Sequence, residues 1–344
     1  MKQINYLAQS GSTIISETPT LDFTAPLVGP IFTNVNVTDF SYLAYSYPHD
    51  MCILNGYVFT LDYFSNIINV FKIVGSNLQN VVNNYNVSGD FDKGSGIWQL
   101  YTDGTYIYIS SYNGTLGVYK FDTTYNELLF VAQTNEFTGI FGQVSSDGEY
   151  LYATTADSSG ASQKLRAYQV SGNSINLVAT YSTTTYSNTN QVFCQNGNIY
   201  VSSRNDNGNP GVRVFSFDGV NFTLLAENTT DFTTTSSLAG DGTYIYLGTE
   251  NNYVYALQYN NGSLNTIASF DPTGDIGFCS YVYCDQQNYL WMVPASNGIN
   301  ANSGYKTAAY TFNGSSFTRQ ILNDFTSFGA TCVSVKSDGI NHFT

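Results

Sequence analysis

A short phrase recurs along this chain: a tight Asp-Gly or Asn-Gly turn, an aromatic-rich strand, a loop, then a second strand. It reads Asp103-Gly104-Thr105-Tyr106-Ile107-Tyr108-Ile109 followed by Val118-Tyr119-Lys120-Phe121-Asp122. It returns as Asp147-Gly148-Glu149-Tyr150-Leu151-Tyr152 with Arg166-Ala167-Tyr168-Gln169-Val170, and as Asp241-Gly242-Thr243-Tyr244-Ile245-Tyr246 with Tyr253-Val254-Tyr255-Ala256-Leu257. The turn also stands at Asn55-Gly56, at Asn196-Gly197, in degenerate form at Asp285-Gln286-Gln287-Asn288, and at Asp338-Gly339. That makes seven occurrences in 344 residues, spaced 44 to 53 residues apart. A period of about 49 residues suits radially repeated four-stranded sheets. The chain is therefore predicted to be all-β, a seven-bladed β-propeller of four-stranded antiparallel blades.

Within one repeat the strands read Ile97 to Tyr101, Tyr106 to Ser110, Leu116 to Phe121 and Glu127 to Ala132. Side chains alternate along a strand, so Tyr106 and Tyr108 share one face and Ile107 and Ile109 the other. Both faces are apolar enough to bury, as a blade between two neighbours requires. In the Asn-Gly copies the following strand starts one residue sooner, which fits a two-residue type I′ hairpin in which both residues carry positive φ.

The ends complete the pattern. After Asp338-Gly339 the chain stops at Thr344, while Ile4 to Ser16 reads like the hairpin Tyr255 to Ala268. The expectation is one domain over residues 1–344 with a composite closing blade, residues 1–18 giving its outer strands and 328–344 its inner ones, so that no edge stays open. The stretch from Pro19 to Pro48 is expected to be an extended crossing to the first blade.

Composition narrows the function classes. With 25 Asp and Glu against 11 Lys and Arg the formal net charge is −14, and no basic patch offsets it, so nucleic acid is not an expected partner. Asn, Ser, Thr and Tyr wet the surface instead, a composition common outside cells that stays solvated in acid. Five cysteines do not form a disulfide framework; Cys52, Cys194, Cys284 and Cys332 fall on expected inner strands as core thiols. No apolar run is long enough to span a membrane and residues 1–20 hold no secretory signal, so membrane insertion is not expected. Seven Asn-X-Ser/Thr sequons stand at Asn36, Asn86, Asn113, Asn221, Asn228, Asn261 and Asn313. An outside-like composition without a signal is reconciled by placement on the exterior of a virion or in the extracellular space.

A second repeated element precedes the inner strands: an acidic residue followed by Phe. It stands at Asp39-Phe40, Asp90-Phe91, Glu136-Phe137, Asp231-Phe232 and Asp324-Phe325, reversed at Phe270-Asp271. One reading has Phe wedged between blades while the carboxylate caps a turn. The other makes Asp39, Asp90, Glu136, Asp231, Asp271 and Asp324 a binding ring of carboxylates around the channel mouth. Polar loops at Ala156 to Gln163, Arg204 to Gly211 and Ser296 to Tyr305 share that face and suit a binding surface. With His49 and His342 as the two histidines, a multi-histidine metal site is excluded and no metal or other cofactor is implied. His49 beside Asp50 is a candidate general base. Gln99, Gln143 and Gln191 are expected to face a polar channel.

The segment Pro48-His49-Asp50-Met51-Cys52-Ile53-Leu54-Asn55-Gly56-Tyr57-Val58-Phe59-Thr60-Leu61-Asp62, continued by Ile68-Asn69-Val70-Phe71-Lys72-Ile73, resembles a blade of the seven-bladed lactonase-like (YVTN-type) propellers. In that family a Pro-His pair opens the inner strand and an Asp closes the next one, which the resemblance carries to Pro48, His49 and Asp62. It implies the propeller fold and, as one activity, hydrolysis at a channel mouth formed by His49, Asp50 and Asp62. The family's further channel His, Arg and Glu have no counterpart here. The leading expectation is a non-enzymatic structural or attachment module, making protein–protein contacts with other subunits of a surface or virion assembly. The competing expectations are a lactonase-like hydrolase and a glycan-binding surface module.

Overall fold

In the computed structural model the residues described are 4–8, 33–38, 48–62, 65–75, 77–90, 96–111, 114–134, 141–156, 163–183, 189–203, 210–232, 234–276, 279, 281–285, 287–293, 306–324, 336–337 and 341–343. Six four-stranded antiparallel sheets are each built from four consecutive strands. They are numbered blades 1 to 6 and span residues 48–86, 97–134, 141–183, 189–228, 237–270 and 281–324. The fold is a β-propeller. The chain ends meet in a further four-stranded sheet ordered Thr33–Thr38, Ile4–Ala8, Asn341–Phe343, Lys336–Ser337. Tyr6, Leu7 and Ala8 pair with Phe343, His342 and Asn341 across the junction.

One expectation is corrected in that sheet. Its outermost strand is Thr33–Thr38, within the stretch read as a strandless crossing, and not a strand within residues 9–18, which lie outside the described residues. Val35 and Val37 alternate with polar residues in Thr-Asn-Val-Asn-Val-Thr. That period-two pattern makes a strand without any Asp-Gly turn to announce it.

The two hairpin classes are physically distinct. Asn55-Gly56 and Asn196-Gly197 have φ of 50° and 78°, and 53° and 73°, both residues left-handed as a type I′ turn needs. In the Asp-Gly copies only the glycine is left-handed, and the aspartate side chain organises the turn. Asp103 Oδ1 accepts from the backbone N–H of Thr105 and Tyr106, both at 2.8 Å, while Oδ2 accepts from the Tyr108 hydroxyl at 2.6 Å. Asp147 does the same with Glu149, Tyr150 and Tyr152, and Asp241 with Thr243, Tyr244 and Tyr246. Asp285, in the turn that looked degenerate, keeps the chemistry: it accepts from the N–H of Gln287 and Tyr289 and, at 2.9 Å, from the Trp291 indole.

Aromatic edges seal blade against blade. Tyr57 of blade 1 meets Phe121 of blade 2 at 4.7 Å, Tyr150 meets Phe217 at 5.1 Å, and Tyr244 meets Phe312 at 5.0 Å, all edge-on. The core therefore lies between blades as much as within them.

In each of blades 1 to 6 the fourth strand carries an extra residue at the same rung, namely Val81, Val131, Val178, Leu225, Ile267 and Gln320, and that of blade 1 carries a second where Asn83 and Asn84 oppose Asn69. Such a bulge twists the exposed edge and spoils it as a template for another strand.

Candidate functional site

The inner strands line the ring's axis, and their polar side chains have a common use. Leu100 N–H of blade 2 donates to Asp50 Oδ2 of blade 1 at 3.0 Å. At the corresponding place Val144 N–H donates to Gln99 Oε1 at 3.2 Å, Leu238 N–H to Gln191 Oε1 at 2.9 Å, and Val282 N–H to Ser237 Oγ at 2.9 Å. Further along the inner strands Ser146 N–H donates to the Tyr101 hydroxyl and Cys194 N–H to Ser145 Oγ, and in the turn that follows the inner strand of blade 5 Gly242 N–H donates to Gln195 Oε1. Each acceptor belongs to one blade and each backbone donor to the next. Gln99 and Gln191, expected to face a polar channel, are instead 8% and 7% exposed and bind the blades together. A buried strand N–H that finds no partner within its own sheet needs one from outside it. Gln143 sits half-buried at the matching place in blade 3, within a bulge between Phe141 and Val144.

The sheet made by the chain ends reaches blade 6 through one side chain. Lys336 Nζ donates to the Tyr281 hydroxyl of blade 6 at 3.0 Å and lies over the rings of Tyr281 and Tyr283, 5.5 and 4.9 Å from their centroids. Burial pulls the Lys336 pKa down, but the fields of Tyr281 and of Asp50 in blade 1 outweigh it and hold the ammonium above the ordinary lysine value.

The three residues singled out by the lactonase resemblance come together at the axial end of blade 1. Pro48 pairs with Asp62 and Asp50 with Leu61, which leaves His49 as the extra residue of a bulge. Trp98 and Asn190 occupy the same bulge in blades 2 and 4, so the distortion belongs to the fold and is not particular to a histidine. Asp50 is 8% exposed and accepts from Met51 N–H at 2.8 Å as well as from Leu100. Asp62 is 4% exposed and accepts from Ser65 N–H at 3.0 Å, capping the loop to the third strand. The side chain of His49 lies outside the described residues.

The carboxylates of the acidic-Phe element, where described, tie the crossing between blades to the incoming blade. Asp90 Oδ2 accepts from the hydroxyls of Tyr85 at 3.0 Å and Tyr119 at 3.1 Å, and burial with this carboxylate pushes Tyr85 up to about 12. Asp231 accepts from Thr266 Oγ1 at 2.5 Å, Asn228 Nδ2 at 2.8 Å and Thr230 Oγ1 at 3.2 Å. The bonds from Thr266 and Asn228 hold its pKa below the usual carboxylate value. Asp271 only caps the turn, through Thr273 N–H at 2.9 Å. The part played by Asp90 falls in blade 6 to Asp275, which accepts from the Tyr310 hydroxyl at 2.5 Å and pairs with Arg319. Tyr310 stands where Tyr119 stands in blade 2. An acidic residue paired with a tyrosine in that slot was the signal available in the sequence, and adjacency to Phe obscured it. Phe232 is buried and meets Tyr255 edge-on at 5.0 Å. Asp39, Phe40, Phe91, Glu136, Phe137 and Phe325, and the side chain of Asp324, lie outside the described residues, as do residues 157–162, 204–209 and 296–305 of the three polar loops.

Among the described residues no group of three or more His, Cys, Asp or Glu is placed to hold a metal ion, and no helix is long and apolar enough to cross a membrane. Cys52, Cys194, Cys279 and Cys284 are free thiols; burial pushes Cys194, Cys279 and Cys284 up to about 12, so they are poor nucleophiles at neutral pH.

No protein-family model matches the sequence, and no curated protein matches it either. Solved structures do. A protein from Lactobacillus plantarum is similar at TM-score 0.68 and 13% identity, with 94% of this chain and 96% of that one covered. A chain of a mitotic checkpoint complex is similar at TM-score 0.65 and 11% identity over 95% and 98%. A putative 6-phosphogluconolactonase from Bacteroides uniformis is similar at TM-score 0.59 and 13% identity over 81% and 86%. At these identities what the likeness establishes is the β-propeller fold.

Proposed function

We propose that this chain is a non-enzymatic recognition or structural ring, closed as seven blades by the sheet from its two ends, that offers its loops to protein partners at an exterior surface such as that of a virus particle. The observation that carries this reading is the destination of the axial polar groups. Asp50, Gln99, Gln191 and Ser237 spend acceptors on the next blade, and Asp62 spends one on its own loop. Hydrolysis of a lactone calls for a group that activates water and a positive centre beside the developing oxyanion. Asp50 and Asp62 are instead engaged in holding backbone, which favours a scaffold. The structural neighbours do not choose, since one is a chain of a checkpoint complex and another a putative 6-phosphogluconolactonase, and one fold hosts many functions. A chain whose formal net charge of −14 repels nucleic acid and whose loops are rich in Asn, Ser and Tyr suits protein or glycan contacts.

The test is hydrolysis of a panel of lactones by the purified protein, with and without divalent metal. No turnover across the panel, together with co-purification of the protein with an exterior assembly, is the expected result. Turnover that disappears in His49→Ala or Asp50→Asn would replace the scaffold with a hydrolase.

A further inference from the structure

The turns joining third to fourth strands offer a site class that neither the axial groups nor the crossing carboxylates use. All six blades place an asparagine in or beside this turn: Asn77, Asn126, Asn173, Asn221, Asn261 and Asn313. The turn accounts for the asparagine, because its amide caps backbone and it tolerates left-handed φ, as Asn126 does at 52° and Asn261 at 49°. It does not account for the residue two places on. In blades 1 to 3 that position holds Gln79, Leu128 and Ile175, whereas in blades 4 to 6 it holds Thr223, Ser263 and Ser315. Three adjacent blades thus carry Asn-X-Ser/Thr in this turn, Asn221 as its last residue and Asn261 and Asn313 as its first, with all three asparagines exposed.

We propose that Asn221, Asn261 and Asn313 are N-glycan acceptors, forming one glycan-bearing sector on the turn face of blades 4 to 6. In the transfer, the amide Nδ2 attacks C1 of an oligosaccharide carried on a polyprenyl pyrophosphate. The bond from C1 to the pyrophosphate breaks, the amide gives one proton to a base of the transferase, and lipid pyrophosphate leaves. At Asn313 the bonds of the turn fall on the amide oxygen: Oδ1 accepts from Ser315 N–H at 3.0 Å, from Ser316 N–H at 2.9 Å and from Ser315 Oγ at 2.9 Å. The sequon at Asn228 is the internal contrast. That residue is 8% exposed, and its Nδ2 donates to Asp231 Oδ2 at 2.8 Å, to Thr266 Oγ1 at 3.3 Å and to the Leu264 carbonyl at 3.4 Å. At Asn86 the intervening Val87 is fully buried and ties the segment to the core. A glycan sector on this face leaves the opposite face, with the crossing loops, free for partners.

The proposal rests on the exterior placement argued above, and the experiment separates the two. Protein from its natural producer is first fractionated into cell-internal and exterior material, then mapped by peptide mass spectrometry with and without glycosidase. Exterior protein with mass increments on the peptides of Asn221, Asn261 and Asn313 and none on that of Asn228 is the expected result. Thr223→Val, Ser263→Ala and Ser315→Ala, which keep the turn asparagine, each remove one increment. Exterior protein with those three peptides unmodified overturns the proposal and leaves the placement standing. Protein found only inside cells removes the placement and the proposal with it. A glycan on Asn228 overturns the contrast drawn between the exposed turn sequons and the buried one.

Discussion

Replacing Asp241 by alanine tests the chemistry that most of the hairpins share. The substitution removes two acceptor oxygens and three hydrogen bonds: Oδ1 accepts from Thr243 N–H at 2.8 Å and Tyr244 N–H at 2.7 Å, and Oδ2 from the Tyr246 hydroxyl at 2.6 Å. The two N–H groups sit in a surface turn where water takes over, so their loss costs about 0.5–1 kcal/mol each. Tyr246 is 2% exposed, and a hydroxyl left there without its acceptor costs about 1–3 kcal/mol. The expected destabilisation is therefore about 2–5 kcal/mol, measured by urea unfolding followed by circular dichroism. A double-mutant cycle isolates the shared bond. Tyr246→Phe alone is expected to cost about 1–2 kcal/mol. The pair Asp241→Ala with Tyr246→Phe is expected to cost less than the two singles together, by a coupling of about 1–2 kcal/mol. Additivity within about 0.5 kcal/mol would refute the claim that carboxylate and phenol act as one unit.

Three further outcomes follow from the same bonds. Burial, and then the neighbouring carboxylates, raise Tyr108, Tyr119, Tyr152, Tyr246 and Tyr310 above the ordinary tyrosine value of 10.0. The folded state then keeps protons that the unfolded chain releases, so this stabilisation is whole below pH 10 and is lost as pH rises through the folded values. Denaturant midpoints should fall steeply above about pH 10, with part of the phenolate absorbance at 295 nm appearing only on unfolding; a flat midpoint through that range would contradict the pairing. Phe232→Ala should cost about 3–5 kcal/mol because a buried ring that edges onto Tyr255 leaves a cavity, and a loss under about 1 kcal/mol would mean that the ring packs against little. Gln191→Ala should cost about 1–3 kcal/mol by stranding Leu238 N–H, whereas Gln191→Glu, which keeps an acceptor, should recover most of it; equal losses in both would show that the bond is not what Gln191 contributes.

The repeat was legible because its turn is made by residues with few substitutes. A type I′ hairpin demands left-handed φ at both positions, and Asn55-Gly56 and Asn196-Gly197 answer that directly. Less legible was Asp285, where one inserted residue hides the motif from its spelling while Trp291 delivers an N–H in place of a phenol. Thr33–Thr38 was missed because an outermost strand needs only alternation, and alternation over six residues is easily overlooked in a chain full of Asn and Thr. The candidate site was read least well. Local sequence shows that Asp50, Gln99 and Gln191 are polar and sit on inner strands, but their partners are backbone N–H groups 45 to 50 residues further on, and no pattern along one strand records a bond made to the next blade.

The direction of those axial bonds has a consequence for how the chain can be cut. Those of Asp50, Gln99, Gln191 and Ser237 each join a side chain to the backbone of the blade that follows, and none of these four spans the outer turn inside a blade. Opening the chain at Gly172-Asn173 and joining the present ends through a linker would therefore sever no link around the axis. Such a permutant should still fold as a propeller, since the bonds that hand one blade on to the next do not depend on which blade is made first.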